Sequence, residues 1–107
     1  MISAEQQFAE KLHAYTLPRG ERVNTRTKDL IGMVLLIREE KLDRAKTAAA
    51  VRATFRKRAT HEVPKELYPP PPEWEPVFDA LARECNLDMK LHGGFEAVRE
   101  FTRTLGI

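Results

Sequence analysis

Two short stretches of the chain carry the residues best suited to chemistry. The first, "AEKLHAYT", places Lys11 between Phe8 and Tyr15, so that a lysine borders an apolar helix stripe and can present its ammonium from it. The second, "NTRTKDLIGMVLLI", places Lys28 and Asp29 directly before the most hydrophobic run of the chain. A carboxylate in the first turn of a helix is stabilised by the helix N-terminus whatever its role. The two stretches therefore have two interpretations, ordinary charged residues at the border of a core or one charged wall of a cleft.

Metal binding and nucleophilic catalysis have little support in the sequence. The histidines His13, His61 and His92 lie far apart, and none has a second histidine at the spacing of three or four residues that a helical metal site uses. Cys85 falls on the apolar stripe of a predicted helix, where a thiol packs like a small hydrophobic side chain and stays protonated. The sequence thus predicts neither a metal site nor a cysteine nucleophile.

A basic cluster lies further along the chain and has two interpretations. Arg52 and Arg56 are one helical turn apart, and Arg58 follows them with Lys57 in between. Cations in the last turns of a helix complement its dipole, so a solvated helix end explains the cluster. The alternative is a patch formed by Arg52, Arg56 and Arg58 that contacts the phosphates of RNA.

Length and composition limit the molecule to one soluble unit. A chain of 107 residues with 42% hydrophobic content can build one modest core but not two. The net charge of +2 does not by itself indicate a nucleic-acid or membrane partner. The sequence shows one cysteine, no signal peptide and no apolar span of about 20 residues, so we expect a cytoplasmic protein without a disulfide or a membrane segment.

The elements that must position these residues are predicted to be helices. Apolar residues recur at intervals of three and four from Ser3 to Thr16, which predicts a first helix with Ser3 as N-cap and Gln6 completing a capping box. After a Pro- and Gly-containing loop, a second helix is predicted from about Thr25 to Arg38.

The second helix is unusual because aliphatic residues cover nearly its whole circumference, which is typical of a helix in the middle of a bundle. Asn24 or Thr25 is expected to cap it. A buried strand is conceivable for "LIGMVLLI", but the neighbouring segments offer no partner strand. We therefore favour the helix.

The second half of the chain is also predicted to be mainly helical. Asp43 is expected to cap a third helix that runs to about Arg58. Its buried face is expected to contain small residues and one aromatic residue: Ala45, Ala48, Ala49, Ala53 and Phe55. Residues 59–73 then have the composition of a polyproline II connector, and "PPPPEW" is either a stiff spacer that leads Trp74 into the core or a ligand for a proline-binding domain, of which we favour the spacer.

Two more helices follow the connector. The fourth is expected to bury one stripe: Trp74, Val77, Phe78, Leu81 and Cys85. The fifth is expected to begin at Asp88 as N-cap and to bury another: Leu91, Phe95, Val98, Thr102 and Leu105. The predicted fold is an all-α bundle of about five helices, with a Pro-rich connector between helices three and four.

These segments together resemble a known family. "SAEQQFAEKLHAYTLPRGERVNTRTKDLIGMVLLI" followed by "PPPPEWEPVFDALARECNLD" is similar to the C-terminal half of the AbiEii/AbiGii nucleotidyltransferase toxins, the abortive-infection toxins of bacterial toxin–antitoxin pairs that act in phage defence. The resemblance covers essentially the whole chain. It implies that Lys11 in "EKLHA" is the catalytic lysine of the family, and that Lys28 and Asp29 in "KDLIG" form its Lys/Arg-Asp motif.

The chain departs from the family pattern in two ways. The Gly-Ser segment and the paired aspartates that hold metal and nucleotide in the family do not occur in these 107 residues. The family motif usually continues Lys/Arg-Asp-x-x-Asp, and its second acidic position is Gly32 here. Gly32 lies three residues after Asp29, hence on the same helix face, and glycine in a helix interior costs about 1 kcal/mol relative to alanine.

The resemblance therefore predicts a single helical domain, residues 1–107, without the N-terminal catalytic core, either encoded separately or left by truncation. Mg²⁺ and a nucleoside triphosphate are expected only in a complete family enzyme, and the isolated chain is expected to be inactive. Its expected partners are an N-terminal nucleotidyltransferase half, a cognate antitoxin or a second copy of itself. Two alternatives stay open: a non-catalytic module that binds a protein partner or self-associates, and a small RNA-binding domain.

Overall fold

A computed structural model describes residues 2–16, 23–39, 42–59, 61–64 and 66–106. The loop predicted between the first two helices therefore lies largely outside the described residues. Within them the chain forms five α-helices and a short 3₁₀-helix: α1 (Ala4–Tyr15), α2 (Val23–Glu39), α3 (Arg44–Arg58), the 3₁₀ turn Pro72–Trp74, α4 (Glu75–Glu84) and α5 (Leu91–Thr104). No strand occurs in the described part of the chain, so the predicted all-α bundle is confirmed.

Helix α2 lies at the centre of the bundle and packs against α1, α4 and α5. Its side chains Leu30, Met33 and Val34 are fully buried, and Ile31 nearly so, which agrees with the aliphatic residues around its circumference. The helix begins at Val23 instead of Thr25. Asn24 and Thr25 were expected to cap it but lie inside its first turn, since a polar lead-in contains several possible caps and does not define which residue begins the helix.

Helices α1 and α3 are joined by polar contacts along their length. The Ser3 hydroxyl accepts a hydrogen bond from the Gln6 amide, as expected of an N-cap. The Gln6 side chain donates from Nε2 to Glu10 and, across the helix interface, to Thr54. Glu10 also receives two hydrogen bonds from the Arg58 guanidinium, at 2.6 and 3.1 Å. The N-terminal helix is thus fixed to α3 by side chains of both.

Helix α3 begins and ends as predicted but buries a different face. Asp43 caps it by accepting from the amide of Lys46 at 2.9 Å. The buried residues repeat at intervals of three and one: Thr47, Ala48, Val51, Thr54 and Phe55. Ala45, Ala49 and Ala53, expected in the core, are exposed. Alanine is compatible with either side of a helix, whereas the two threonines bury their methyl groups while the Thr47 hydroxyl donates to the Asp43 carbonyl.

The end of α4 places Cys85 in solvent, which contradicts the sequence prediction of a buried thiol. Asn86 adopts a left-handed conformation with φ of 54°, the Leu87 amide donates to the Ala82 carbonyl, and the Asn86 amide donates to Arg83. These two bonds form a Schellman motif that ends the helix before its apolar stripe reaches Cys85. Leu87, which follows the turn, enters the core instead.

Helix α5 begins at Leu91, and its N-cap lies two residues after the predicted cap Asp88. Its N-cap is Lys90, which makes no side-chain capping bond, and the predicted cap Asp88 is exposed. The residues Leu91, Phe95 and Val98 are buried as expected, and so is Leu105 just past the helix end. The beginning of α5 is therefore determined by packing of its apolar stripe and not by a local capping residue.

The Pro-rich connector leads into the core through Trp74. Pro71 has φ of −61° and ψ of 146°, the polyproline II conformation predicted for this segment. The 3₁₀ turn then buries Trp74, whose ring meets that of Tyr15 edge to face at a centroid distance of 6.0 Å. The described helices include none with the length and hydrophobicity needed to cross a membrane.

Candidate functional site

Lys11 extends from α1 across the face of α2 at Gly32. A Cβ atom placed on Gly32 would lie 2.8 Å from both Cδ and Cε of Lys11 and 3.1 Å from its Nζ. The lysine stem is half-buried and occupies the space that a side chain at position 32 would need. Its ammonium therefore lies in the groove between α1 and α2 instead of extending freely into solvent.

Asp29 lies one helical turn before Gly32 on the same face of α2. Its Oδ2 atom is buried and has no hydrogen-bond partner within the described residues. Burial raises the pKa of the Asp29 carboxyl above its ordinary value of 3.8, and the nearby charges of Lys11 and Arg26 partly offset the increase. The groove therefore contains a carboxylate that is short of hydrogen-bond donors, with a cation on either side.

The groove continues one turn further to Tyr15 and Arg26. Tyr15 follows Lys11 by four residues on α1, and Arg26 precedes Asp29 by three on α2, so each pair shares a helix face. Burial raises the pKa of the Tyr15 hydroxyl to about 12, and the Arg26 charge acts in the opposite direction. Lys11 lies against Gly32 in the middle of α2, whereas Tyr15, one turn later on α1, lies near Arg26 at the beginning of α2. The two helices therefore run antiparallel.

The sequence-predicted catalytic residues are thus brought together only in part. Lys11 of α1 lies against Gly32, one helical turn after Asp29 on α2, and its charge acts on the Asp29 carboxyl. Lys28 is exposed on the surface of α2. Arg26 was missed by the sequence analysis, although its position three residues before Asp29 could have identified it as a residue of the same face.

The donor atoms of this groove do not suit a divalent metal ion. Protein sites for Mg²⁺ provide one or two carboxylates beside waters and substrate phosphates, and a cation beside the carboxylate opposes binding of the metal. The described part of the groove offers the single carboxylate of Asp29 between two cationic side chains. In the whole described region no cluster of three or more His, Cys, Asp or Glu residues could hold a metal. We therefore assign no metal-dependent step to these residues.

The basic cluster on α3 is partly engaged within the molecule. Arg58 forms an ion pair with Glu10 at 2.6 Å, and Arg52 donates to the carbonyl of Gly106 at 3.4 Å. Arg56 is exposed beside a shallow cavity next to His61. The RNA-contact interpretation of Arg52, Arg56 and Arg58 stays a prediction, because an exposed helix end accounts equally well for these contacts.

A cluster of aromatic rings joins α1, α3 and the connector, and the sequence analysis did not anticipate it. The rings of His13, Phe55 and His61 lie within 4.7–5.0 Å of one another, centroid to centroid. The Thr16 hydroxyl lies 2.8 Å from Nε2 of His61. Burial is the main cause that lowers the pKa of His13, and the charges of His61 and Arg58 lower it further. Burial also lowers the pKa of His61. Histidines that are 48 residues apart in sequence meet here only because the connector returns to α1.

The comparisons with known proteins give one match. A family model described as "Nucleotidyl transferase AbiEii toxin, Type IV TA system" matches residues 1–99 of the chain. This match includes both Lys11 and Asp29 and extends to within eight residues of the C-terminus. Neither the search of curated proteins nor the search of solved structures found a match.

Proposed function

The chain belongs to the nucleotidyl transferase AbiEii toxin family of type IV toxin–antitoxin systems, and from this we propose that its α1–α2 groove is one wall of a nucleotide-binding site. The observation that carries the proposal is that the Lys11 side chain lies across α2 at Gly32, one helical turn from the partly buried Asp29. Two residues from separate helices, both expected from the family motifs, lie in one charged and partly buried groove.

The proposed roles follow from the chemistry of the side chains. A phosphate group carries negative charge and accepts hydrogen bonds, so the Lys11 ammonium is placed to bind the phosphates of a nucleoside triphosphate. Asp29 supplies a fixed negative charge that orients the Lys11 ammonium, and its unpaired oxygen can accept a hydrogen bond from a hydroxyl or amino group of the substrate. Lys28, at the exposed edge, adds positive charge that attracts the nucleotide from solution.

We further propose that these 107 residues do not transfer nucleotides by themselves. Nucleotidyl transfer needs groups that position the triphosphate and stabilise the charge that develops during displacement at phosphorus. The family's Gly-Ser and Asp-x-Asp segment, which would hold a metal ion for this purpose, does not occur in the sequence. The complete reaction then requires a nucleotidyltransferase core supplied in addition to this region, and we expect a cognate antitoxin to counteract the resulting toxin.

A nucleotide-transfer assay tests this function. The chain is incubated with labelled nucleoside triphosphates and Mg²⁺, alone and together with the product of the neighbouring gene. We expect transfer only in the combined reaction. Lys11→Met should reduce its rate about 10- to 100-fold, since a charge-assisted hydrogen bond contributes about 1.5–3 kcal/mol.

Lys46→Met is the matched control, because Lys46 is an exposed lysine on α3. It should leave the rate of the combined reaction unchanged. Equal activity of the Lys11→Met and wild-type chains would remove the proposed role of Lys11. Transfer by the chain alone would contradict the need for a separate core.

A further inference from the structure

Gly32 is difficult to explain from helix structure alone. It lies in the interior of α2, where glycine costs about 1 kcal/mol relative to alanine. Its backbone does not require glycine, because the glycine with positive φ in the described chain is Gly106. The conformation at position 32 is thus accessible to any residue, and the reason for a glycine must lie in its surroundings.

The atoms nearest to Gly32 belong to one charged side chain. The three atoms nearest to a Cβ at this position are Cδ, Cε and Nζ of Lys11. A buried glycine on α5, Gly94, provides a contrast: a Cβ there would meet Phe78 and Val34, which belong to the hydrophobic core. Gly94 therefore permits close packing of apolar side chains, whereas Gly32 leaves room for a lysine.

We propose that Gly32 is a positioning residue for Lys11: the absence of a side chain at position 32 allows the lysine stem to lie across α2 and holds its ammonium beside Asp29. The proposal rests on the proposed function in one respect, that the positioned ammonium is the group that binds phosphate.

A substitution at position 32 should move the lysine without unfolding the protein. The overlapping atoms belong to the flexible end of Lys11, which can turn toward solvent at small cost. Asp29 then loses Lys11, one of its two cationic neighbours, so the pKa of its carboxyl should rise further. The observable effect of a methyl group at position 32 is consequently electrostatic and appears on a residue one helical turn away.

The test measures the Asp29 side-chain pKa by carbon-detected NMR in Gly32→Ala, Lys11→Ala and the double variant. We expect Gly32→Ala and Lys11→Ala to raise this pKa by similar amounts, and the double variant to equal either single one. Gly93→Ala is the matched control, because its nearest heavy atom, Cγ of Met89, lies 3.4 Å from the added Cβ. The control should leave the Asp29 pKa unchanged.

Binding of inorganic triphosphate separates this inference from the proposed function. Affinity is followed by the fluorescence of Trp74 or by calorimetry, and Gly32→Ala should weaken it about as much as Lys11→Ala, by roughly 10-fold. If the wild-type chain does not bind triphosphate, the proposed function loses support while the NMR experiment still decides on Gly32. An Asp29 pKa that is the same in Gly32→Ala and wild type would overturn the positioning role.

Discussion

The burial of the Asp29 carboxyl is informative about its role. A buried carboxylate oxygen without a hydrogen bond retains a desolvation cost that a neutral side chain would not have. The neighbouring cations Lys11 and Arg26 reduce this cost, yet the Asp29 pKa is still raised. Groups that destabilise the fold are commonly found where a protein binds or transforms a ligand.

We therefore predict that Asp29→Asn stabilises the chain at neutral pH. The folded-state pKa of Asp29 lies above the unfolded value of 3.8, so the folded state binds more protons, and the penalty develops as the pH rises through that range. Asparagine removes it, and the free energy of unfolding should rise by about 0.5–1 kcal/mol at pH 7 but not at pH 3. Urea denaturation at both pH values measures the difference.

The control for this prediction is Asp88→Asn, in which the carboxylate is exposed. It should change stability little at either pH. A loss of stability in Asp29→Asn at pH 7 would indicate that the carboxylate has a stabilising partner. It would contradict the interpretation of Asp29 as a buried carboxylate that costs stability.

At the scale of the elements, the parts that were predictable from sequence are those governed by short-range contacts. Ser3 and Asp43 were identified as caps because each accepts from an amide three residues away. The sequence pattern predicted the wrong start for α5 and the wrong buried face for α3, because tertiary packing determines both. The exposed position of Cys85 depends on Asn86, whose left-handed conformation is a recognised helix-ending signal.

The close contact of α5 with α4 gives a prediction about two adjacent glycines. Alanine at position 94 would place its Cβ 2.8 Å from Cζ of Phe78, a ring that is completely buried and has no room to move. Gly94→Ala should therefore destabilise the protein by about 1–3 kcal/mol. Alanine at position 93 meets only ordinary contacts and should stabilise α5 by up to about 1 kcal/mol. Urea unfolding followed by circular dichroism compares the two, and equal effects would contradict the packing described.

The ring cluster between α1, α3 and the connector predicts a dependence of stability on pH. The pKa values of His13 and His61 are lowered from 6.5 by burial, and the charges that face them come from Glu10, Arg26 and Arg58. The unfolded chain thus binds more protons just below pH 6.5, so stability is full above this pH and falls as the solution is acidified. Stability measured from pH 7.5 to 5 should decrease.

Replacing both rings identifies the origin of this decrease. The double substitution His13→Phe and His61→Phe should flatten the pH profile, whereas His92→Gln, which changes an exposed histidine on α5, should leave its slope unchanged. A slope that persists in the double variant would assign the pH dependence to other groups. The experiment reports on stability alone and does not depend on any enzymatic activity.

For the whole molecule, the central position of α2 predicts one cooperative unit. The helix contacts α1, α4 and α5, so each of these loses part of its buried surface once α2 unfolds. Unfolding by urea should give the same midpoint when followed by far-ultraviolet circular dichroism and by Trp74 fluorescence, which reports on the packing of the 3₁₀ turn against Tyr15 of α1. Two separate midpoints would show that α4 and α5 fold independently of the first half.

The sequence identified individual residues of the candidate site but not their arrangement in space. The sequence and the family resemblance identified Lys11 and Asp29, whereas the position of Lys11 at Gly32, one turn from Asp29, depends on the antiparallel packing of α1 and α2, which no local pattern specifies. The inclusion of Arg26 and the exposure of Lys28 are likewise consequences of the orientation of α2. Gly32 was recognised as a departure from the family pattern, but only the fold shows which side chain fills its place.

Because α2 forms both the core of the bundle and one side of the charged groove, its sequence is constrained twice. In a genetic selection for loss of toxicity, carried out on an active toxin that contains this region, substitutions in α2 should be recovered more often than substitutions in α3. They should fall into two classes that alternate around the helix. Changes at Leu30, Met33 or Val34 should reduce the amount of protein in the cell, while changes at Asp29 or Gly32 should leave abundant, folded and harmless protein.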